Sequence, residues 1–334
     1  MKRFFIFFIP VILLFACEPD QATQKIQFIG EAQGTYYAVT YFAADTLVSQ
    51  SEIDSLLRAF DLSASVWVDQ SVISRINRNE PGVVPDRHFI EIFKIAQRIS
   101  EDTEGAFDIT VGPLVNAWGF GFKNRQNMNQ RIVDSLLPLV GYRKVTLSDG
   151  KISKSNTDIQ IDYNAIAQGY SVDLLGGFLE SRGISNYLVD IGGEVLAKGT
   201  KPGDSPWVVG IEKPAAEATS ERELRATIEI SNRAVATSGN YRKFYEVDGM
   251  KYSHTIDPKT GYPVQHSLLS ATVVSDSATI ADAYATAFMV MGLEKALEFL
   301  ERHPDMEAYF IYSNSAGNYQ SHVTPNLKEQ ITER

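Results

Sequence analysis

Two oxygen-bearing side chains, Asp282 and Thr286, stand four residues apart in the last third of the chain. On a helix that spacing puts both oxygens on one face, one turn from each other. Ala281, Ala283, Ala285 and Ala287 surround them and let another group approach closely. A carboxylate and a hydroxyl are hard oxygen ligands of the kind Mg²⁺ takes. A tightly packed helix with an acid near its positive end accounts for the same pattern. A second stretch, Ile159–Leu175, reads as an apolar strand (Ile159, Ile161) running through Asp162 into a helix. Asn164 is its N-cap, and Ala165, Ile166 and Ala167 its first residues. Gly169 clears the first turn, so backbone N–H groups and the positive helix end form a berth for a phosphate. An ordinary strand–turn–helix joint has the same outline. His254 precedes Asp257-Pro258-Lys259-Thr260-Gly261, a tight turn that would hold it in a fixed direction. Structural histidines are nonetheless the commoner kind.

These residues need elements to carry them. Gly34–Tyr41 alternates β-branched and aromatic residues and reads as a strand, with Gln33 at its start. Ser51–Leu62 and Arg87–Thr103 carry helical apolar stripes. Trp67, between them, suits either the core or stacking on a planar ligand. Gly105–Gly121 is dense in glycine, aromatics and small residues, a composition of ligand-lining loops, or of a plug over the core. Asn129–Leu139 is a short helix, and Val145–Leu147 with Lys151–Ser153 a hairpin. Strands follow at Tyr187–Ile191, Val195–Ala197, Trp207–Ile211, Leu224–Ile230, Ala234–Thr237, Leu268–Ser275 and Ala308–Tyr312. Gly192-Gly193 is a bend or a ligand contact. Helices lie at Ala278–Met291 and Glu294–Arg302. This succession predicts an α+β fold of antiparallel sheet packed under helices.

The 334 residues suffice for a large core, and 44% hydrophobic with 22% charged residues fits a globular body. A formal net charge of -10 gives nucleic-acid binding no electrostatic support. Lys2 and Arg3 precede an apolar run from Phe4 to Ala16, too short to span a bilayer and ordered like a secretory signal. It ends at Cys17, the only cysteine. The segment resembles a bacterial lipobox, with Cys17 lipidated as the mature N-terminus; an untouched cysteine after a plain signal peptide is the alternative. The expected organisation is a signal peptide at 1–16, a lipidated tether at 17–30, one domain at 31–326 and a polar tail at 327–334.

Eight segments in order, QGTYY, SxISRIN, GAFDITVGPLVNAWGFG, IDYNAIAQGYSVD, YLVDIGGEVLAKG, AVATSGNY, HTIDPKTGYPV and ADAYATA, resemble the ApbE family, the FAD:protein FMN transferases. The resemblance implies a T-fold-related arrangement of antiparallel sheets and helices, with an FAD cleft between its halves. By it, Gln33, Trp67, Ala106, Phe107, Asp108, Asp162, Gln168 and Ile256 match FAD-contacting positions. The carbonyl of Ala165, with Asp282 and Thr286, matches a Mg²⁺ site. Gln33 stands where methionine is frequent, Trp67 where tyrosine is, and Gln168 where lysine is. The implied reaction transfers FMN from FAD to a Ser or Thr hydroxyl of an acceptor protein and releases AMP, with His254 handling the proton. A plain FAD pyrophosphatase and a non-catalytic flavin-binding lipoprotein are the alternatives. The family further suggests acceptor flavoproteins of the cell envelope and a lipid-anchored enzyme on the periplasmic side of a bacterial membrane, with inner and outer membrane both open.

Overall fold

A computed structural model describes residues 23–121, 126–214, 223–240, 244–247 and 250–334. The signal segment and Cys17 lie outside the described residues, as do Asp248 and Gly249, whose sequence suggests a hairpin turn. The frame is an eight-stranded sheet. In spatial order its strands are Gln24–Ala32, Thr35–Ala43, Tyr187–Ile191, Glu194–Lys198, Arg233–Gly239, Leu268–Ser275, Glu307–Ser313 and Tyr319–Val323. Every neighbouring pair is antiparallel, as the succession of strands predicts.

The inner strands place apolar residues on both of their faces, because both faces of the sheet are covered. Ala236, Val273, Ala308 and Phe310 point to the helical layer. Val235, Val274, Tyr309 and Ile311 alternate with them and pack on a second sheet. That sheet has three strands, Trp207–Glu212, Leu224–Ile230 and Ile331–Glu333. The helical layer contains Gln50–Ala64, Arg87–Asp102, Ala167–Ser181 and Ala278–Met291. Their starts carry local stop signals for the preceding chain. Ser49 and Glu52 form a capping box, and Asp86 accepts from Phe89 N–H at 2.9 Å. No helix among the described residues is long and apolar enough to cross a membrane.

Several expectations need correction. The tether expected over 17–30 becomes strand from Gln24, because Ile26 and its neighbours find partners along Thr35–Ala43. The Gly105–Gly121 segment contains a helix, Gly112–Trp118, started by Pro113 and closed by Gly119 in the left-handed region. Ile159 and Ile161 are fully buried but belong to no strand; the Asn77 carboxamide stands in for a neighbouring strand. It donates to Ile161 O at 2.8 Å and accepts from Ile161 N–H at 2.7 Å. The following helix starts at Ala167, and Asn164 does not cap it; Asn164 N–H instead donates to Asp162 Oδ1 at 2.8 Å.

The polar tail expected at 327–334 is likewise structured. Leu327 is fully buried, and Ile331–Glu333 pairs with Ala226–Ile228. Glu333 accepts the Tyr309 hydroxyl at 2.9 Å and the Ser321 hydroxyl. Removing residues 328–334 opens the Leu224–Ile230 edge and strips the buried Tyr309 hydroxyl of its charged partner. Charge-assisted bonds contribute about 1.5–3 kcal/mol, so denaturant unfolding of the truncated chain should show a loss of about 2–3 kcal/mol.

Candidate active site

The two stretches that open the sequence reading meet as a pair of helices. Asp282, on Ala278–Met291, accepts the backbone N–H of Gly169 at 3.0 Å through Oδ2. In return Asp173, on Ala167–Ser181, caps the other helix. Its Oδ1 accepts Ala278 N–H at 2.8 Å, and its Oδ2 accepts Thr279 N–H at 2.9 Å with the Ser277 and Thr279 hydroxyls at 2.6 Å. Each helix therefore neutralises the positive end of the other with a carboxylate. Gly169 permits the approach, since a Cβ there would lie 2.3 Å from Ala278 O. Its N–H is spent on Asp282, so the phosphate berth expected at this helix start is partly occupied by the protein's own carboxylate.

The alanines around Asp282 serve packing. Ala281, Ala283, Ala285 and Ala287 are fully buried in the core under the sheet. Asp282 and Thr286 instead reach a cavity of about 1240 Å³. Every expected flavin- or metal-contacting position lines that cavity: Gln33, Trp67, Ala106, Phe107, Asp108, Asp162, Ala165, Gln168, Ile256, Asp282 and Thr286, together with His254. Trp67 is 60% exposed, which settles its two readings against the core.

The walls are held by identifiable bonds. Gln33 and Gly34, at φ +55° and +74°, make the two-residue turn between Ala32 and Thr35. A glutamine in the left-handed region is uncommon and marks a constrained position. The Ser171 hydroxyl lies 3.1 Å from Gln33 Oε1 and 2.7 Å from Gln168 O. Gln168 Nε2 donates to Ile191 O at 3.0 Å, where Gly192 makes room; a Cβ there would meet that amide at 2.1 Å. The double glycine is thus a bend that accommodates Gln168, and it also lines the cavity. Asp108 lines it too, but its carboxylate is committed to structure. It accepts from Thr110 N–H and hydroxyl at 2.8 and 2.6 Å, and from Tyr142 N–H at 2.8 Å. Burial nevertheless raises the Asp108 and Asp162 carboxyls above their ordinary range.

The turn after His254 forms as its sequence indicates. Asp257 accepts from Lys259 N–H at 2.8 Å and from the Thr260 hydroxyl at 3.1 Å. Trp118 Nε1–H donates to Gly261 O at 2.9 Å, tying this turn to the Gly112–Trp118 helix. His254 meets the edge of Phe120, ring centroids 6.3 Å apart.

The donors suit a hard dication. Burial raises the Asp282 carboxyl to about 7, with Asp173 adding to the shift and the Gly169 N–H opposing it. A cation would remove that charging penalty. The Thr286 hydroxyl, one turn on, lies 3.1 Å from Ser238 Oγ. Among the described residues no three His, Cys, Asp or Glu side chains form a metal cage, so a cation here needs hydroxyl and carbonyl oxygens besides Asp282. Ser238 and Asp173 were not singled out from sequence. Asp173 follows Gly169 by four residues as Asp282 follows Ala278, and that matched spacing was the available sign.

Fold and cavity together define an α+β protein with a large cleft whose lining includes aromatic side chains and hard oxygen donors. The chain belongs to the ApbE family, whose model matches residues 33–310. It is 36% identical over 310 residues to the FAD:protein FMN transferase of Vibrio cholerae, spanning 90% of this chain and 91% of that one. The FAD:protein FMN transferase of Escherichia coli is 33% identical, over 92% and 89%. Among solved structures, the flavin transferase ApbE from Vibrio cholerae superposes with a TM-score of 0.82 at 32% identity, covering 92% of this chain and 99% of that chain. The apo flavinyl transferase ApbE of Pseudomonas stutzeri gives the same score and identity, over 92% and 97%.

Two glycines on one helix separate the close approach from propensity. Alanine is favoured over glycine in a helix by about 1 kcal/mol. Gly177 has open space around its Cβ position, so Gly177→Ala should stabilise by about 0.5–1 kcal/mol. At Gly169 the backbone overlap outweighs that gain, and Gly169→Ala should destabilise by about 1–3 kcal/mol. Denaturant titration of both variants checks the opposite signs.

Proposed function

We propose that this chain is a Mg²⁺-dependent FAD:protein FMN transferase, moving FMN from FAD to a Ser or Thr hydroxyl of an acceptor protein. The observation that carries the reading is the convergence of the family's flavin and metal positions, from six separate segments, on one cavity with His254. At about 1240 Å³ it exceeds the roughly 300–1,000 Å³ of common small-ligand pockets. It therefore has room for a dinucleotide and an incoming hydroxyl.

The reaction is a phosphoryl transfer, in which positioning and charge neutralisation do most of the catalytic work. Asp282, Thr286 and the Ala165 carbonyl would hold the Mg²⁺, which when bound would supply Lewis-acid neutralisation of phosphate charge. Trp67 offers its exposed indole face to a planar ring. Phe107 and Ile256, both buried at the wall, keep water from the reacting end. Gln168 stands neutral where the family often has lysine, so backbone N–H groups and a bound cation would carry more of the phosphate charge. The acceptor oxygen forms a bond to the FMN phosphorus, the bond from that phosphorus to the AMP oxygen breaks, and His254 takes the hydroxyl proton. The acceptor ends as an FMN phosphoester and AMP departs.

The proposed setting is the bacterial envelope. Lipidation of Cys17 anchors the enzyme to a membrane on its periplasmic side, and the acceptors are flavoproteins of that compartment. The order of basic, apolar and small residues before Cys17 supports this.

Incubation with Mg²⁺, FAD and candidate acceptors, followed by intact mass of each acceptor, tests the transfer. An FMN adduct with stoichiometric AMP is expected; free FMN and AMP with no adduct would make the chain a pyrophosphatase. Asp282→Ala should abolish metal-dependent turnover. His254→Ala should lower the turnover number while FAD affinity stays within about threefold, and intact turnover of bound FAD would remove its proton-handling role. Expressed in a bacterium, Cys17→Ala should move the protein from the membrane fraction to the soluble fraction.

A further inference from the structure

Asp61 is a carboxylate placed against local physical preference. It sits in the last turn of the Gln50–Ala64 helix, where the carbonyl ends make a negative charge unfavourable, and that turn holds no basic residue. It is half-buried, and no ion pair is formed with it among the described residues. Burial raises its carboxyl above the ordinary range, and the Gln33 side chain alone opposes the shift. An acid with no ion-pair partner in such a place weakens the fold, and groups that do so mark functional positions.

Its surroundings say which function. Asp61 lines the large cavity beside Phe60, Ser65 and Trp67, with Gln33 and Tyr36 also on that wall. Trp67 presents an exposed ring there. Ionised, a carboxylate only accepts hydrogen bonds, and it repels phosphate. Its complement on a dinucleotide is therefore a donor-bearing part, a sugar hydroxyl or a ring N–H, and not the diphosphate.

We propose that Asp61 is a specificity residue of the cavity, accepting a hydrogen bond from a hydroxyl or N–H group of the bound dinucleotide at the Trp67 side. The proposal rests on the flavin reading above. It adds a contact that the family resemblance does not assign, and it explains why an acid persists at the end of this helix.

The test uses the full chain and its Asp61→Ala and Asp61→Asn variants, with FAD, FMN and AMP each titrated separately by calorimetry in Mg²⁺. Charged hydrogen bonds set the scale, so Asp61→Ala should weaken FAD by about tenfold or more. The same loss should appear with only one of FMN and AMP, which identifies the half that carries the donor. Asp61→Asn keeps an acceptor oxygen and should lose less. The thermal midpoint of the ligand-free protein should hold or rise in Asp61→Asn, since a dipole-opposed charge is removed and an acceptor oxygen is kept. FAD affinity unchanged within twofold in Asp61→Ala would overturn the proposal. So would a fall in the ligand-free midpoint of Asp61→Asn, which would make Asp61 a structural residue. A wild-type chain that binds no FAD would instead refute the flavin reading itself.

Discussion

The site depends on two helices that complete each other's first turns. An isolated helix leaves its leading N–H groups unsatisfied and positive. Here Asp282 answers Gly169 and Asp173 answers Ala278 and Thr279, so neither helix can shift without uncapping both. The contact is possible only because Gly169 has no Cβ in the path of the Ala278 carbonyl. Thr286, one turn beyond Asp282, inherits the same rigidity through the helix and through its contact with Ser238 on the Arg233–Gly239 strand. The oxygens that suit a cation are thus mounted on a junction capped from both sides, as a preorganised site requires.

The run into that junction is secured by side chains in place of a neighbouring strand. Asn77 reproduces the two bonds of a strand partner at Ile161. Lys154 directs its ammonium at the carbonyls of Ile159, Thr157, Ile76 and Asn77, at 2.9 to 3.3 Å. Burial lowers the Lys154 pKa, which is consistent with an ammonium held by backbone dipoles in place of water. These bonds fix Asp162 and Ala165 at the cavity wall while leaving the chain there free of sheet geometry. Beside them the lining includes tight turns at Gln33-Gly34 and Gly192-Gly193, whose conformations are set by the strands they join.

Much of this was legible in order. The antiparallel sheet, the Ala278–Met291 helix, the hairpin around Asp149-Gly150 and the turn after His254 all follow local rules of alternation, capping and turn chemistry. Motif order, more than any single spacing, led to the cavity residues. The misreadings have two causes, a missing strand partner and a competing local turn. Gln24–Ala32 and Ile331–Glu333 are polar or short, and only a neighbouring strand makes them strands. Asn164 has the composition of a cap, yet Asp162 takes its N–H into a local turn and the helix starts later. Asp108 is no misreading: it lines the cavity, while its carboxylate accepts from Thr110 and Tyr142.

Residue types and their near spacing were sufficient to establish an α+β chain, a pair of oxygen donors on one helical face and a histidine held by a turn. These are properties of a few consecutive residues, governed by backbone sterics and short-range hydrogen bonds. Which acid caps, which acid faces the cavity and which glycine is a contact point depended on segments more than a hundred residues apart. Asp173 and Asp282 are both acids four residues beyond a helix contact, and nothing local separates their roles. The packing does so, because Asp173 is surrounded by four donors whereas Asp282 has one hydrogen bond and a cavity before it.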